Sequence, residues 1–68
     1  MTDPVYRKSE FVGTSAKSFH DAAANAVAKA GEDLHNMSWF EVLEQRGNIV
    51  DGKIGQYQVT IQVGYRID

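Results

Sequence analysis

Trp39 is the only tryptophan in the chain, and three glutamines, Gln56, Gln58 and Gln62, recur at even positions in the run that follows it. An indole offers a large flat face for stacking, and an amide side chain offers a donor and an acceptor side by side. Together these residue types suit recognition of a planar ring with a polar edge. A lone Trp equally suits a subunit interface, where Trp is enriched, and both roles stand at this level. The other candidates carry less. His20 and His35 are far apart, in no metal-ligand spacing. Ser15 and His20 make no nucleophile–base pair, because no third orienting group or oxyanion donor accompanies them. There is no Gly-rich phosphate loop, and a helix start after Gly13 is only a generic anion site.

The elements that position these residues must come from a chain of 68 residues, expected to form a single domain over 1–68. A domain this short buries a modest share of its surface and normally relies on disulfides, a metal or a partner chain. With no Cys, disulfides and thiolate metal sites are excluded, and two scattered His do not build a zinc site. Self-association is the remaining device. A net charge of −2 argues against nucleic acid, which requires a basic patch. No apolar run approaches the ~20 residues of a membrane span, and nothing resembles a signal peptide. The expected location is cytoplasmic.

After a polar lead-in, residues 1–4, the run Val5–Val12 has strand composition with only partial alternation. Val5 and Phe11 share one parity; Tyr6, Lys8, Glu10 and Val12 share the other. The inward face is therefore open, and Gly13-Thr14-Ser15 is expected to break the strand. The period then changes. Phe19, Ala22, Ala23, Ala26, Val27, Ala30, Leu34 and Met37 recur at steps of three and four, predicting an amphipathic helix of about five turns. Thr14, Ser15 and Ser18 are the candidate N-caps, and Ser18 with Asp21 resembles a capping box. The stripe is mostly alanine, so the helix can lie close to its support. Ser38–Val50 and Ile54–Ile67 read as strands joined by Asp51-Gly52, the type I′ hairpin signal. In the last strand Tyr57, Val59, Ile61, Val63, Tyr65 and Ile67 alternate with Gln56, Gln58, Thr60, Gln62, Gly64 and Arg66, one face core and one polar. The fold class is α+β, in the order β-α-β-β: a three-stranded antiparallel sheet packed on one long helix.

With Asp51 and Gly52 as the loop pair, Gln45 falls opposite Gln58 and Trp39 opposite Gly64, unless a bulge at Gly47 shifts the pairing by one. Opposite side chains share a face. Phe40 and Val42 then join the core face, and Trp39, Glu41, Leu43 and Gln45 join the polar face with Gln56, Gln58 and Arg66. Gly64 leaves room above the sheet beside Trp39. Gln58 lies about six residues along the hairpin from that point, or ~20 Å. One ring system cannot touch Trp39 and Gln58 of a single chain. Either they serve different sites or the site forms between chains.

"FVGTS" (Phe11–Ser15), the Ala-rich helix, "WFEVLEQRG" (Trp39–Gly47), the tip "VDGKI" and "YQVTIQVGYRID" (Tyr57–Asp68) together resemble the dodecin family. The similarity runs in order from about Val5 to Asp68. It implies a subunit that assembles into a hollow homododecamer and binds flavin, either FMN or riboflavin, in pairs sandwiched between symmetry-related Trp side chains. By that resemblance Trp39 is the stacking residue and Gln58 hydrogen-bonds the polar edge of the ring. Arg46 matches a basic residue near the flavin. Coenzyme A is a second ligand in some bacterial members. Arg7, Lys8 and Arg66 are then candidate phosphate contacts for FMN or coenzyme A, with solvated surface charges as the competing reading. The implied role is flavin storage or sequestration. No enzyme activity is expected, since a flavin pair stacked between Trp rings leaves no face for a reacting substrate. The competing function is a small structural or interaction oligomer in which Trp39 only packs an interface.

Overall fold

A computed structural model describes residues 3–68; Met1 and Thr2 of the polar lead-in lie outside the described residues. The elements are β1 (Tyr6–Ser15), α1 (Phe19–Asp33), β2 (Met37–Val50) and β3 (Lys53–Arg66). The sheet is antiparallel throughout, in the order β1-β3-β2. The expected β-α-β-β order and hairpin are present, with β3 as the central strand. Asp51 (φ 51°) and Gly52 (φ 75°) both adopt left-handed backbone, as a type I′ turn requires.

β1 does not break at Gly13. It continues to Ser15, with Gly13, Thr14 and Ser15 opposite Val59, Gln58 and Tyr57. The glycine serves the helix instead: a Cβ at Gly13 would overlap the Ala22 carbonyl oxygen and crowd the Ala26 methyl. α1 starts on Ser18, whose Oγ accepts from the Asp21 N–H at 2.9 Å. The Asp21 carboxylate accepts from Ser15 Oγ at 2.7 Å, and sits in the first turn where the helix dipole favours an anion. α1 is shorter than the stripe suggests. Leu34 has already left helical backbone, although its N–H still donates to Ala30. Asn36 (φ 60°) then turns the chain into β2.

Ala22, Ala26 and Ala30 of α1 pack on Val59, Ile61 and Val63 of β3 to form the core. Phe11, Ala23, Val27, Leu34 and Tyr57 close its margins. Phe19 packs edge-on to Tyr57, ring centroids 4.9 Å apart. The helix covers β1 and β3 and barely reaches β2. Phe40 and Val42 are therefore not core residues. The register places them opposite Val63 and Ile61, on the helix side, yet they remain 50% and 43% exposed because α1 stops short of them. Every β2 residue is exposed. The hairpin also overruns β1, whose pairing with β3 ends at Tyr57, so residues 53–56 of β3 bond only to β2.

Candidate ligand face

The sheet face opposite α1 carries the candidate residues. Trp39 stands opposite Gly64, as the hairpin arithmetic predicts. The indole lies across this glycine: a Cβ on Gly64 would overlap Cε2, Cζ2 and Cη2 of Trp39. Because Gly64 has no side chain, the ring crosses the central strand and meets Tyr6 of β1, centroids 5.1 Å apart and tilted by 58°. Strands two apart in a sheet are separated by ~10 Å, so only long side chains over a bare central position meet this way. Trp39 remains 43% exposed.

The second group of residues lies farther along the hairpin. Register shifts between Val42 and Glu44 and between Asn48 and Ile49 displace the pairing by one over the segment between them. Gln45 consequently faces Val59 rather than Gln58, and Arg46 takes the place opposite Gln58. Leu43 is the extra residue of the first bulge. Arg46 Nε donates to Gln58 Oε1 at 3.0 Å, and Gln58 Nε2 donates to Gln56 Oε1 at 3.4 Å. This string fixes which end of the Gln58 amide is oxygen and leaves each end a further bonding position. Glu44 lies 3.9 Å from Arg46 Nη1, a loose exposed pair.

Arg46 and Gln58 are thus brought together, whereas Trp39 stays about six residues away, ~20 Å along the strand. Lys8 is opposite Gly64 and spans the central strand to an ion pair with Glu41 of β2 at 2.8 Å. Arg66 is opposite Tyr6 and donates from Nε to Asp68 Oδ1 at 3.0 Å. Asp68 Oδ2 also accepts from the Val5 N–H. The hydrogen bond from Arg66 holds the Asp68 carboxyl below its ordinary value; Val5 adds to this, partly offset by desolvation. Arg7 pairs with Tyr65, on the alternate parity of β1, and so stands on the helix side, away from Trp39.

Tyr6 is the member of this face that sequence reasoning did not single out. Its signal was its shared parity with Lys8, readable only once β1 is known to flank β3. Two open apolar grooves lie on the other side of the sheet, between α1 and β2. One, of 220 Å³, is lined by Val27, Met37, Ser38, Trp39, Phe40 and Val63, so Trp39 also contributes to its rim. The other, of 380 Å³, is lined by His20, Ala23, Ala24, Val27, Ala28 and Phe40. Neither contains Gln58 or Arg46, and neither offers the polar edge of the opposite face.

A family model described as Dodecin matches residues 5–68. The chain belongs to the dodecin family. It is 42% identical over 64 residues to a dodecin of Thermus thermophilus, covering 94% of this chain and 93% of that one. Among solved structures, a dodecin from Streptomyces davaonensis superposes with a TM-score of 0.92 at 43% identity, covering 98% of both chains. A dodecin from Streptomyces coelicolor gives 0.93 at 40% identity, covering 100% of this chain and 97% of that one. The β-α-β-β order and antiparallel sheet match the dodecin fold.

Proposed function

We propose that this member of the dodecin family is a flavin-binding storage or sequestration protein, a single-domain subunit of a hollow homododecamer. Trp39 stacks on the flavin, Gln58 hydrogen-bonds the polar edge of the ring, and Arg46 sits beside it. The observation that carries the reading is the Trp39–Gly64 pair: a half-exposed indole laid on a bare patch of an open sheet face. The residues fit the group. The indole supplies a stacking surface, and Arg46 and Gln56 orient the Gln58 amide to present both a donor and an acceptor. Since Trp39 and Gln58 of one chain are too far apart for one ring, the site is completed by a second subunit. The exposure of Trp39, Phe40, Val42, Leu43, Ile49 and Val50 along β2 supports such a partner.

A bound flavin supplies a light-absorbing, redox-active ring. Held between two indoles it has no open face for a reacting substrate, which favours storage over catalysis. FMN and riboflavin both satisfy the ring contacts. A phosphate, from FMN or from coenzyme A as a second ligand, would have to win Lys8 from Glu41 or Arg66 from Asp68. The proposed location is cytoplasmic. The described residues contain no helix long and apolar enough to cross a membrane.

The exposed apolar residues of β2 favour one further reading, an oligomer in which Trp39 only packs an interface. Native mass spectrometry of gently purified protein, with riboflavin titrated into wild type and Gln58→Ala, separates the two. The expected result is a twelve-subunit species that carries flavin. Gln58→Ala should keep the assembly and lose roughly 0.5–1.5 kcal/mol of binding per lost hydrogen bond. A dodecamer indifferent to riboflavin and FMN leaves the interface reading. A folded monomer at micromolar concentration removes both.

A further inference from the structure

We propose that Tyr6, together with the Lys8–Glu41 ion pair, positions the Trp39 indole on the sheet before any ligand arrives. The proposal rests on the stacking role given to Trp39 above, but the frame itself is a property of the folded chain. Three observations build it. Gly64 leaves the central strand bare, so the indole of β2 reaches across it. The Tyr6 ring of β1 meets the indole at 5.1 Å and 58°, within the tilted geometry that aromatic quadrupoles favour. Lys8, opposite Gly64 on β1, bonds Glu41, two residues beyond Trp39 on β2. Both contacts join the outer strands over the middle one, and each has one end opposite Gly64: Trp39 reaches Tyr6, opposite Arg66, and Lys8 reaches Glu41, opposite Gln62. They bracket the indole on the side of β1 and along β2.

A half-exposed Trp without such a frame samples several rotamers, and a stacking ligand must immobilise one of them. Immobilising a flexible side chain lowers affinity by roughly two- to tenfold. A preset indole avoids that loss. Tyr6 is thus a positioning residue: it acts through Trp39, and its ring, not its hydroxyl, does the work.

The chain has one tryptophan, so its emission reports on this residue alone. The test measures acrylamide quenching of Trp39 emission in ligand-free protein, and riboflavin affinity, for wild type, Tyr6→Leu, Tyr6→Phe and Lys8→Met. In Tyr6→Leu the quenching constant should rise by half or more, an order-of-magnitude expectation for an uncovered ring. Riboflavin affinity should fall roughly two- to tenfold. Tyr6→Phe should restore both, and Lys8→Met should move both in the same direction by less. Unchanged quenching in Tyr6→Leu overturns the frame, whatever happens to riboflavin. Raised quenching with unchanged affinity overturns the preset indole as a binding device. If wild type binds no riboflavin, the flavin reading fails, while quenching still decides whether Tyr6 holds Trp39. Should Tyr6→Leu not fold, Lys8→Met decides by the same two readouts, because its ion pair is solvent-exposed.

Discussion

Trp39 of β2 and Gly64 of β3 are cross-strand partners whose contact leaves no space for a Cβ on the glycine. Gly64→Ala should therefore displace the indole, leaving the backbone pairing in place. Overpacking of this kind costs roughly 1–3 kcal/mol where the ring cannot move. A half-exposed ring can swing outward, so the loss should fall on flavin binding and much less on folding. Near-UV circular dichroism, a riboflavin titration and a denaturant melt check this. A variant that loses stability but binds riboflavin normally would contradict it.

Replacing Trp39 tests the stack directly. An indole in contact with a photo-excited flavin is an electron donor, so flavin bound to wild type should be nearly dark. Trp39→Phe keeps a flat ring but weakens the donor; binding should fall modestly and residual emission should rise. Trp39→Ala should lose roughly 1–3 kcal/mol, the scale of an aromatic stack. Fluorescence titrations at matched protein concentration give both quantities. Unquenched emission from saturated wild type would end the stacking role.

The core carries a prediction independent of any ligand. Ile61 is 0% exposed and sits between Val59 and Val63 under the alanine stripe of α1. Ile61→Ala should cost roughly 2–5 kcal/mol, read as a shift in denaturation midpoint. A cost within about half a kcal/mol, typical of surface sites, is the contrary result.

Asp68 supplies a dependence on pH. Its carboxyl is held below the ordinary value of 3.8, first by the hydrogen bond from Arg66. A depressed folded-state value means that the contribution is fully present above the unfolded value and is lost as pH falls through the folded one. The tie between Asp68, Arg66 and Val5 should thus persist down to pH 3.8 and release below it. An NMR titration of the Asp68 carboxyl reads this, and a midpoint at or above 3.8 refutes it.

The hairpin strands, the helix, the hairpin turn and the Trp39–Gly64 pairing were legible because each rests on a strong local signal. These are the period-2 alternation of β3, the alanine stripe of α1, and Asp51-Gly52. β1, with mixed parity, instead runs past its expected break at Gly13 to Ser15. The cation beside Gln58 was not legible from pairing rules, since two bulges shift the register by one between Glu44 and Asn48. Nothing marks Leu43 as a bulge in the sequence, and the second bulge falls at Gly55 of β3, a mid-strand glycine of the kind that signals one, rather than at Gly47. Phe40 and Val42 were assigned to the core because alternation reports a side of the sheet, whereas burial also depends on how far the helix extends over it. Tyr6 was missed for a topological reason. Its contact with Trp39 requires β1 to lie beside β3, and the mixed parity of β1 does not specify its neighbour.

The order β1-β3-β2 has a consequence for how the chain is made. The central strand is synthesised after the other three described elements, and both outer strands bond only to it. While β3 is still inside the ribosome, β1 and α1 can meet at Gly13, but Val59, Ile61 and Val63 are missing from the core. No sheet hydrogen bond can form between the elements already made. Contacts such as Ser9 with Tyr65, 56 residues apart, close long loops, and such topologies fold slowly. The exposed apolar residues of β2 emerge before the strand that fixes their register, in an interval when such surface is prone to aggregate.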